Sequence, residues 1–345
     1  MKTLMAGLAG VIVAVAQGRA QDTAPLPLTS VRTWAYQIQN LDARGAVAVL
    51  AQSPYDLLVV EPTRTEKDSA FDTARMVRRL QASRAGDGRH RKLVLAYLCI
   101  GEAEDWRWYW TWPEKWRKNR PRPAGWPAFI LRPDPDGWSG CFPVAYWDPA
   151  WKDILLTGSE TLQANPPSYR SVLDEVVQSG FDGVYLDWVE AYDDPVVRRA
   201  AKSAQVNPAQ EMVRLLGEIR TYGRQRNPNF MVVQQNAAGL LQRQHDLLDV
   251  IDAIAQEDIW YAGKADCEWI DARGHDRATP ADQTREYIKL LEAYRAAGKP
   301  VLTVDYTVAH AADTYRQSRA AGFIPYCTRV SLSRITTTPP SISTR

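Results

Sequence analysis

GFDGVYLDWVEAY, Gly180 to Tyr192, reads as a short buried strand that ends on Asp187 and runs directly into Trp188, Glu190 and Tyr192. A strand-terminal aspartate is most often a helix N-cap or a turn residue. At the mouth of a parallel barrel the same residue is a candidate catalytic acid. The rest of the chain decides between the two readings.

Outward from this stretch, β-branched and aromatic runs alternate with amphipathic segments, the pattern of βα units around a parallel sheet. The runs span Val31–Gln39, Tyr55–Pro62, Lys92–Glu102, Phe181–Val189, Asn229–Asn236, Val250–Ile259, Pro300–Tyr306 and Gly322–Thr328. Helices are predicted between them, at Ser69–Ala85, Tyr169–Ser179, Gln210–Gln225 and Thr279–Ala297, where apolar residues recur every three or four positions. In QSGFDG and AAGKPV a glycine stands where a left-handed helix C-cap belongs. Eight such units predict an α/β protein, a single (β/α)8 TIM barrel. A doubly wound open sheet is the competitor, but no strand is followed by GxGxxG or a Walker-type loop.

In a barrel the strand C-termini carry the site. Here those ends are Gln37, Glu61, Glu102, Asp187, Asn236, Glu257, Asp305 and the Tyr326 region. Residues two apart share a face. Gly183, Tyr185 and Asp187 are therefore expected to face the axis, Glu257 to share its face with Ala253 and Ala255, and Asp305 with Val301 and Thr303.

Strands three and four are separated by a long insertion, Ala103 to Gly180, and nine of the 13 tryptophans lie within it, from Trp106 to Trp151. Some of these rings pack the insertion against the barrel; others are expected to offer flat faces for sugar rings, with an indole N–H for a hydroxyl.

The chain has 345 residues, 45% hydrophobic and 24% charged, with 42 basic and 40 acidic residues interspersed, so no basic face points to nucleic acid. Residues 1–20 resemble a secretory signal peptide, with Lys2, an apolar run from Leu4 to Ala16 and Gly18-Arg19-Ala20. The expected organisation is a signal peptide at 1–20, a linker at 21–30, a barrel at 31–330 and a flexible tail at 331–345. The mature protein is expected to be secreted or periplasmic, monomeric and not inserted in a membrane. Export allows disulfides among Cys99, Cys141, Cys267 and Cys327, and Cys141–Cys267 is the preferred pairing because both lie in loops.

Two carboxyls facing each other across a cleft can hydrolyse a glycosidic bond. Asp187 and Glu257 are the expected catalytic pair, with Asp305 third. Glu257, above two alanines and ahead of Trp260 and Tyr261, is expected to be the less solvated and to act as general acid, leaving Asp187 ionised as nucleophile. Tyr36, Glu61, Tyr97, Glu102, Arg107, Trp147, Tyr185, Trp188, Asn236, Trp260, Asp305 and Tyr306 are expected to contact substrate. No cofactor or metal is expected: His90, His245, His275 and His310 lie away from the strand ends, and no CxxC-type spacing occurs. Serine chemistry lacks a GxSxG elbow, and neither Cys99 nor Cys327 has a histidine at a matching strand end.

WAYQIQN, YDLLVVEP, LAYLCIGEAEDWRWYW, VAYWDPAWKDIL, GFDGVYLDWVEAY, QQNA, AIAQEDIWY, VLTVDY and GFIPY follow one another here in the order seen in the endo-α-1,4-polygalactosaminidase-like family, glycoside hydrolase family 114. The chain resembles that family over residues 31 to 330. The resemblance implies a (β/α)8 barrel, cleavage of α-1,4-linked galactosamine polymers, and catalytic acids in the GVYLD and QED motifs, Asp187 and Glu257. Strand two ends on Glu61, where relatives more often carry Asp, which bears on the sugar rather than the fold. A cationic, partly deacetylated polymer suits the acids gathered at Glu102, Glu104, Asp105, Glu190, Asp193, Asp194 and Asp258, although Asp193 and Asp194, just ahead of Pro195, are expected rather to cap a helix or make surface pairs. A non-catalytic or differently specific carbohydrate-binding barrel is the alternative.

Overall fold

The computed structural model describes residues 24–62, 71–112, 115–116, 120–158 and 169–336. Eight parallel strands form one sheet in sequential order: β1 (Trp34–Gln37), β2 (Leu57–Val60), β3 (Leu93–Cys99), β4 (Gly183–Asp187), β5 (Met231–Gln235), β6 (Ala253–Glu257), β7 (Val301–Asp305) and β8 (Ile324–Cys327). Helices alternate with the strands on the outside, and the whole is a (β/α)8 barrel. Across the seam between β1 and β8, the Trp34 indole N–H donates to the Ile324 carbonyl at 2.9 Å.

The helices form where periodicity and capping agree. Asn207 caps the helix Pro208–Arg224, with proline in the first turn, and Ser171 caps Val172–Gln178. Gly180 and Gly298 adopt φ of +84° and +76° and turn the chain from helix to strand, as their positions predict. The interior is unevenly filled. Trp34, Tyr36, Tyr97, Tyr185 and Tyr326 contact one another with ring centroids 5.1 to 6.2 Å apart, whereas β6 opposes them with Ala253 and Ala255. Large rings on one side and methyl groups on the other leave room above β6 for the Glu257 side chain.

At the opposite end of the barrel, acids at the strand starts are tied down. Asp182, ahead of β4, receives both Arg91 guanidinium nitrogens at 2.8 and 2.6 Å and the Val94 amide at 2.9 Å. Asp252, ahead of β6, receives Arg220, Arg224 and the Val232 amide. Asp56, ahead of β2, receives the amides of Arg32, Thr33 and Gly86.

Parts of both flanking segments pack on the barrel. Residues 1–20, read as a signal peptide, and 21–23 lie outside the described residues. Within the expected linker Leu26 is buried and its amide donates to the Arg91 carbonyl, because an apolar side chain there finds the barrel wall. Within the expected tail Leu332 and Ile335 are buried, the Ile38 amide donates to the Leu332 carbonyl, the Gln37 amide group to that of Ser333, and the Tyr55 hydroxyl to that of Thr336. This segment covers the seam; 337–345 lie outside the described residues.

The four cysteines are buried free thiols, so the expected Cys141–Cys267 bridge is not made. Cys141 sits in a ribbon that pairs Glu102–Glu104 with Cys141–Pro143, while the Cys267 sulfur faces the Glu268 and Asp271 carbonyls and the His275 ring. Loop position alone did not bring the two sulfurs together.

Candidate active site

A cleft of about 1050 Å³ opens at the strand C-termini. Three consecutive strands leave the barrel there through left-handed non-glycine residues, Trp188 after β4, Asn236 and Ala237 after β5, and Asp258 after β6, with φ between 56° and 59°. Such backbone is unfavourable for L-residues and is found where surrounding contacts over-determine it. Here it turns each chain sharply, so that the terminal side chains converge.

Asp187 Oδ2 accepts from the Tyr97 hydroxyl at 2.6 Å, and Oδ1 from the Trp188 amide at 2.8 Å. Glu257 Oε2 accepts from Gln235 Nε2 at 2.6 Å and Asn236 Nδ2 at 2.8 Å, while the Tyr306 hydroxyl donates to Oε1. Asn236 is fixed in turn, its Oδ1 accepting from Gln256 Nε2 and the Glu257 amide. Burial, reinforced by the Glu257 charge, pushes Asp187 up to about 7, against the opposing bonds from Tyr97 and Trp188. Glu190 is raised to about 8 by burial and by Asp187, and Asp258 goes up through burial and the charge of Glu257. Glu257 holds three donors to the two on Asp187, and burial raises the Asp187 carboxyl.

A second group of acids lies beside the pair. Arg107 Nε donates to Glu104 Oε2 and Nη1 to Glu61 Oε1, both at 2.6 Å, and all three residues are buried. Ten carboxyl side chains line the cleft among the described residues, and Arg107 is its one guanidinium or ammonium group. With Arg107 held between two of the acids, and burial favouring the neutral forms of Glu102, Glu190 and Asp258, the remaining carboxyls still leave the cleft net negative in a chain whose formal charge is +2.

The structure gathers Tyr36, Glu61, Tyr97, Glu102, Arg107, Trp188, Asn236 and Tyr306 around Asp187 and Glu257 at this cleft. Four other expected contacts lie elsewhere. Asp305 is fully buried and accepts from the Trp260 and Tyr261 amides. Its face of β7 points outward, since Thr303 on that face meets Ser318 of the surrounding helix Ala311–Ala320. Tyr306, on the opposite face, takes the inward position. The Trp260 indole donates to Ser318 and is therefore turned toward the helices. Tyr185 is buried beneath the cleft among the barrel aromatics. Trp147 borders a separate groove with Lys152, Arg214 and Arg220.

Gln235, Gln256, Trp106 and Trp138 line the cleft and were not singled out. Alternation from Val233 would have placed Gln235 inward; nothing local distinguishes Trp106 and Trp138 from their neighbours. Trp110, Trp112, Trp116 and Trp126 instead pack in edge contacts with one another and with Phe129 and Phe142. Among the described residues no group of His, Cys, Asp and Glu has the arrangement of a metal site, and no helix is long and apolar enough to cross a membrane.

Many glycoside hydrolases of (β/α)8 fold carry paired carboxyls at the mouth of the barrel, as this one does at Asp187 and Glu257. The model of glycoside-hydrolase family GH114 matches residues 15–343, and the chain belongs to that family. It is 33% identical to a protein of Deinococcus radiodurans over 316 residues, 91% of this chain and 85% of that one. It is 30% identical to a protein of Methanocaldococcus jannaschii over 313 residues, 85% of this chain and 74% of the other. The fold is similar to that of the glycoside hydrolase domain of PelA from Pseudomonas aeruginosa, with TM-score 0.57 and 17% identity, covering 89% of this chain and 99% of that one. It is also similar to Aspergillus fumigatus Ega3, solved in complex with galactosamine, with TM-score 0.56 and 15% identity, covering 92% and 98%. The protein is a glycoside hydrolase.

Proposed function

We propose that this hydrolase cleaves a polymer of α-1,4-linked galactosamine type, at least partly de-N-acetylated, with Asp187 and Glu257 as its catalytic carboxyls. The observation that carries the reading is the acidity of the cleft, whose carboxyls outnumber its one internally held arginine even with Glu102, Glu190 and Asp258 in their neutral forms. A neutral glycan gains nothing from such a field, whereas a polymer bearing ammonium groups is drawn into it and offsets the cost of bringing the acids together. Trp106, Trp138 and Trp188 supply apolar faces along the same cleft.

One carboxyl of the pair protonates the glycosidic oxygen while the other, ionised, attacks the anomeric carbon or directs a water onto it. The working form carries a single proton on the pair. Asp187, raised to about 7, reports where that proton is lost, so kcat/KM falls as pH rises through about 7. Leaving-group rescue assigns the roles: a substrate with a good leaving group restores the first step in the variant lacking the acid and not in the variant lacking the nucleophile.

The direct test is release of reducing ends from α-1,4-galactosaminan, compared with its N-acetylated form. Product from the deacetylated polymer supports the reading; preference for the acetylated form overturns the charge argument. Binding without product leaves the carbohydrate-binding alternative. Export, proposed from the sequence of residues 1–20, is tested by fractionation, and the expected monomeric state by light scattering.

A further inference from the structure

Glu102 faces the cleft yet points its carboxyl at another acid. It lies in the ribbon opposite Pro143, is 3% exposed, and its Oε1 is buried with no donor among the described residues. Asp134 Oδ2 is in the same condition. The other Asp134 oxygen, Oδ1, accepts three amides in succession, from Asp136, Gly137 and Trp138, at 2.9, 2.7 and 2.8 Å. These bonds form the turn that brings Asp136 and Trp138 to the cleft, and Trp138 is 36% exposed there. The Asp134 amide joins the turn to the ribbon through the Cys141 carbonyl, and the Ser139 amide reaches Asp266 across the opening.

Two buried carboxyl oxygens that each lack a donor are satisfied together by one proton between them. We propose that Glu102 is a positioning residue: its protonated carboxyl donates to Asp134 Oδ2 and latches the turn carrying Trp138 onto the barrel. Burial and then Asp134 push Glu102 up to about 11, so the latch is closed at neutral pH. The other groups facing Glu102 are Asp187 and Glu104, whose charges further oppose its ionisation, and the thiols of Cys99 and Cys141, which burial keeps neutral. Near the turn, Arg132 acts on Asp136 and pairs with Asp194, at 2.5 Å. Through Asp134, Glu102 sets where the Trp138 ring meets substrate, and so acts on binding without touching the reacting atoms.

Carboxyl-carbon NMR of the full chain, with the Glu102 signal assigned by its loss in Glu102→Gln, is expected to show no titration below about pH 9; a step near the ordinary glutamate value of about 4.3 overturns the latch. Amide exchange at residues 136–138 is expected to stay slow in Glu102→Gln, which keeps a donor, and to accelerate about tenfold or more in Glu102→Ala; equal rates in all three proteins overturn it. The role in binding rests on the proposed function. Glu102→Ala is expected to raise KM for the polymer about tenfold while kcat holds, with Glu102→Gln recovering most of the loss. An unchanged KM in an otherwise active Glu102→Ala protein overturns the positioning role. A parent protein inactive on every polymer overturns the functional reading instead, and the exchange and titration results still decide the latch.

Discussion

Three strands of the barrel are bracketed by acids five residues apart: Asp56 and Glu61 on β2, Asp182 and Asp187 on β4, Asp252 and Glu257 on β6. An odd spacing puts the two members of each pair on opposite faces of the strand. At the strand starts, the acids meet backbone amides, and two of them meet arginines. At the strand ends of β4 and β6, Asp187 and Glu257 meet hydroxyls, amides and other carboxyls, with no ion pair to either among the described residues. The same residue type holds the barrel together at one end and gathers without a cationic partner at the other. Glu61 is intermediate, an end-of-strand acid neutralised by Arg107.

The contrast is broken most directly by exchanging the phenotypes. Asp187→Asn and Glu257→Gln are expected to lower turnover by about 100- to 10,000-fold, measured on soluble polymer, with little loss of stability. If either keeps near-parental turnover, that residue leaves the mechanism. Next in size, Asp182→Ala strips partners from Arg91 and the Val94 amide and should cost about 3 kcal/mol in denaturant unfolding while the parental kcat persists.

A smaller effect sharpens the comparison through pH. Asp187 titrates near 7 in the folded protein against 3.8 for an ordinary aspartate, so the folded state binds the proton more tightly than the unfolded one. Stability from this group is therefore full below about pH 3.8 and is lost as pH rises through 7. Asp187→Asn should raise Tm at pH 8 by a few degrees, on the order of 1 kcal/mol, and leave it unchanged at pH 3. A destabilised variant at pH 8 would place Asp187 with the strand-start acids. The least change is expected from Asp305→Asn, whose remaining oxygen still accepts the Trp260 and Tyr261 amides; parental KM and kcat are the result that fits.

The barrel was legible because each βα unit carries its own local signal, apolar period two followed by period 3.6, with Gly180 and Gly298 marking the turns. Asp187 and Glu257 were also placed on the axis correctly, because their strands give a consistent alternation down to Gly183 and Ala253. Asp305 misled because alternation fixes which residues share a face but not which face is inward, and Thr303 and Val301 suit either. Asn236 was visible as a strand end; its grip on Glu257 was not, since it depends on the left-handed turn after β5. The tryptophans of the insertion were hardest to sort. Trp138 reaches the cleft and Trp147 leaves it because of how the ribbon Cys141–Pro143 folds back, which no short window of sequence contains.

The seam carries a consequence for how this chain acquires its shape. Gln37 is bonded to Ser333 across 296 positions, and the Trp34 indole to Ile324 across 290. Such contacts reward the chain only after nearly all the intervening loop entropy has been spent. During synthesis, β1 and β2 emerge early and wait with one edge open while the partners that cover it are still inside the ribosome or untranslated. Until residues 324–336 arrive, that edge is a template for pairing with a neighbouring chain, so the yield of soluble protein should depend on the crowding of nascent chains as much as on the stability of the finished barrel.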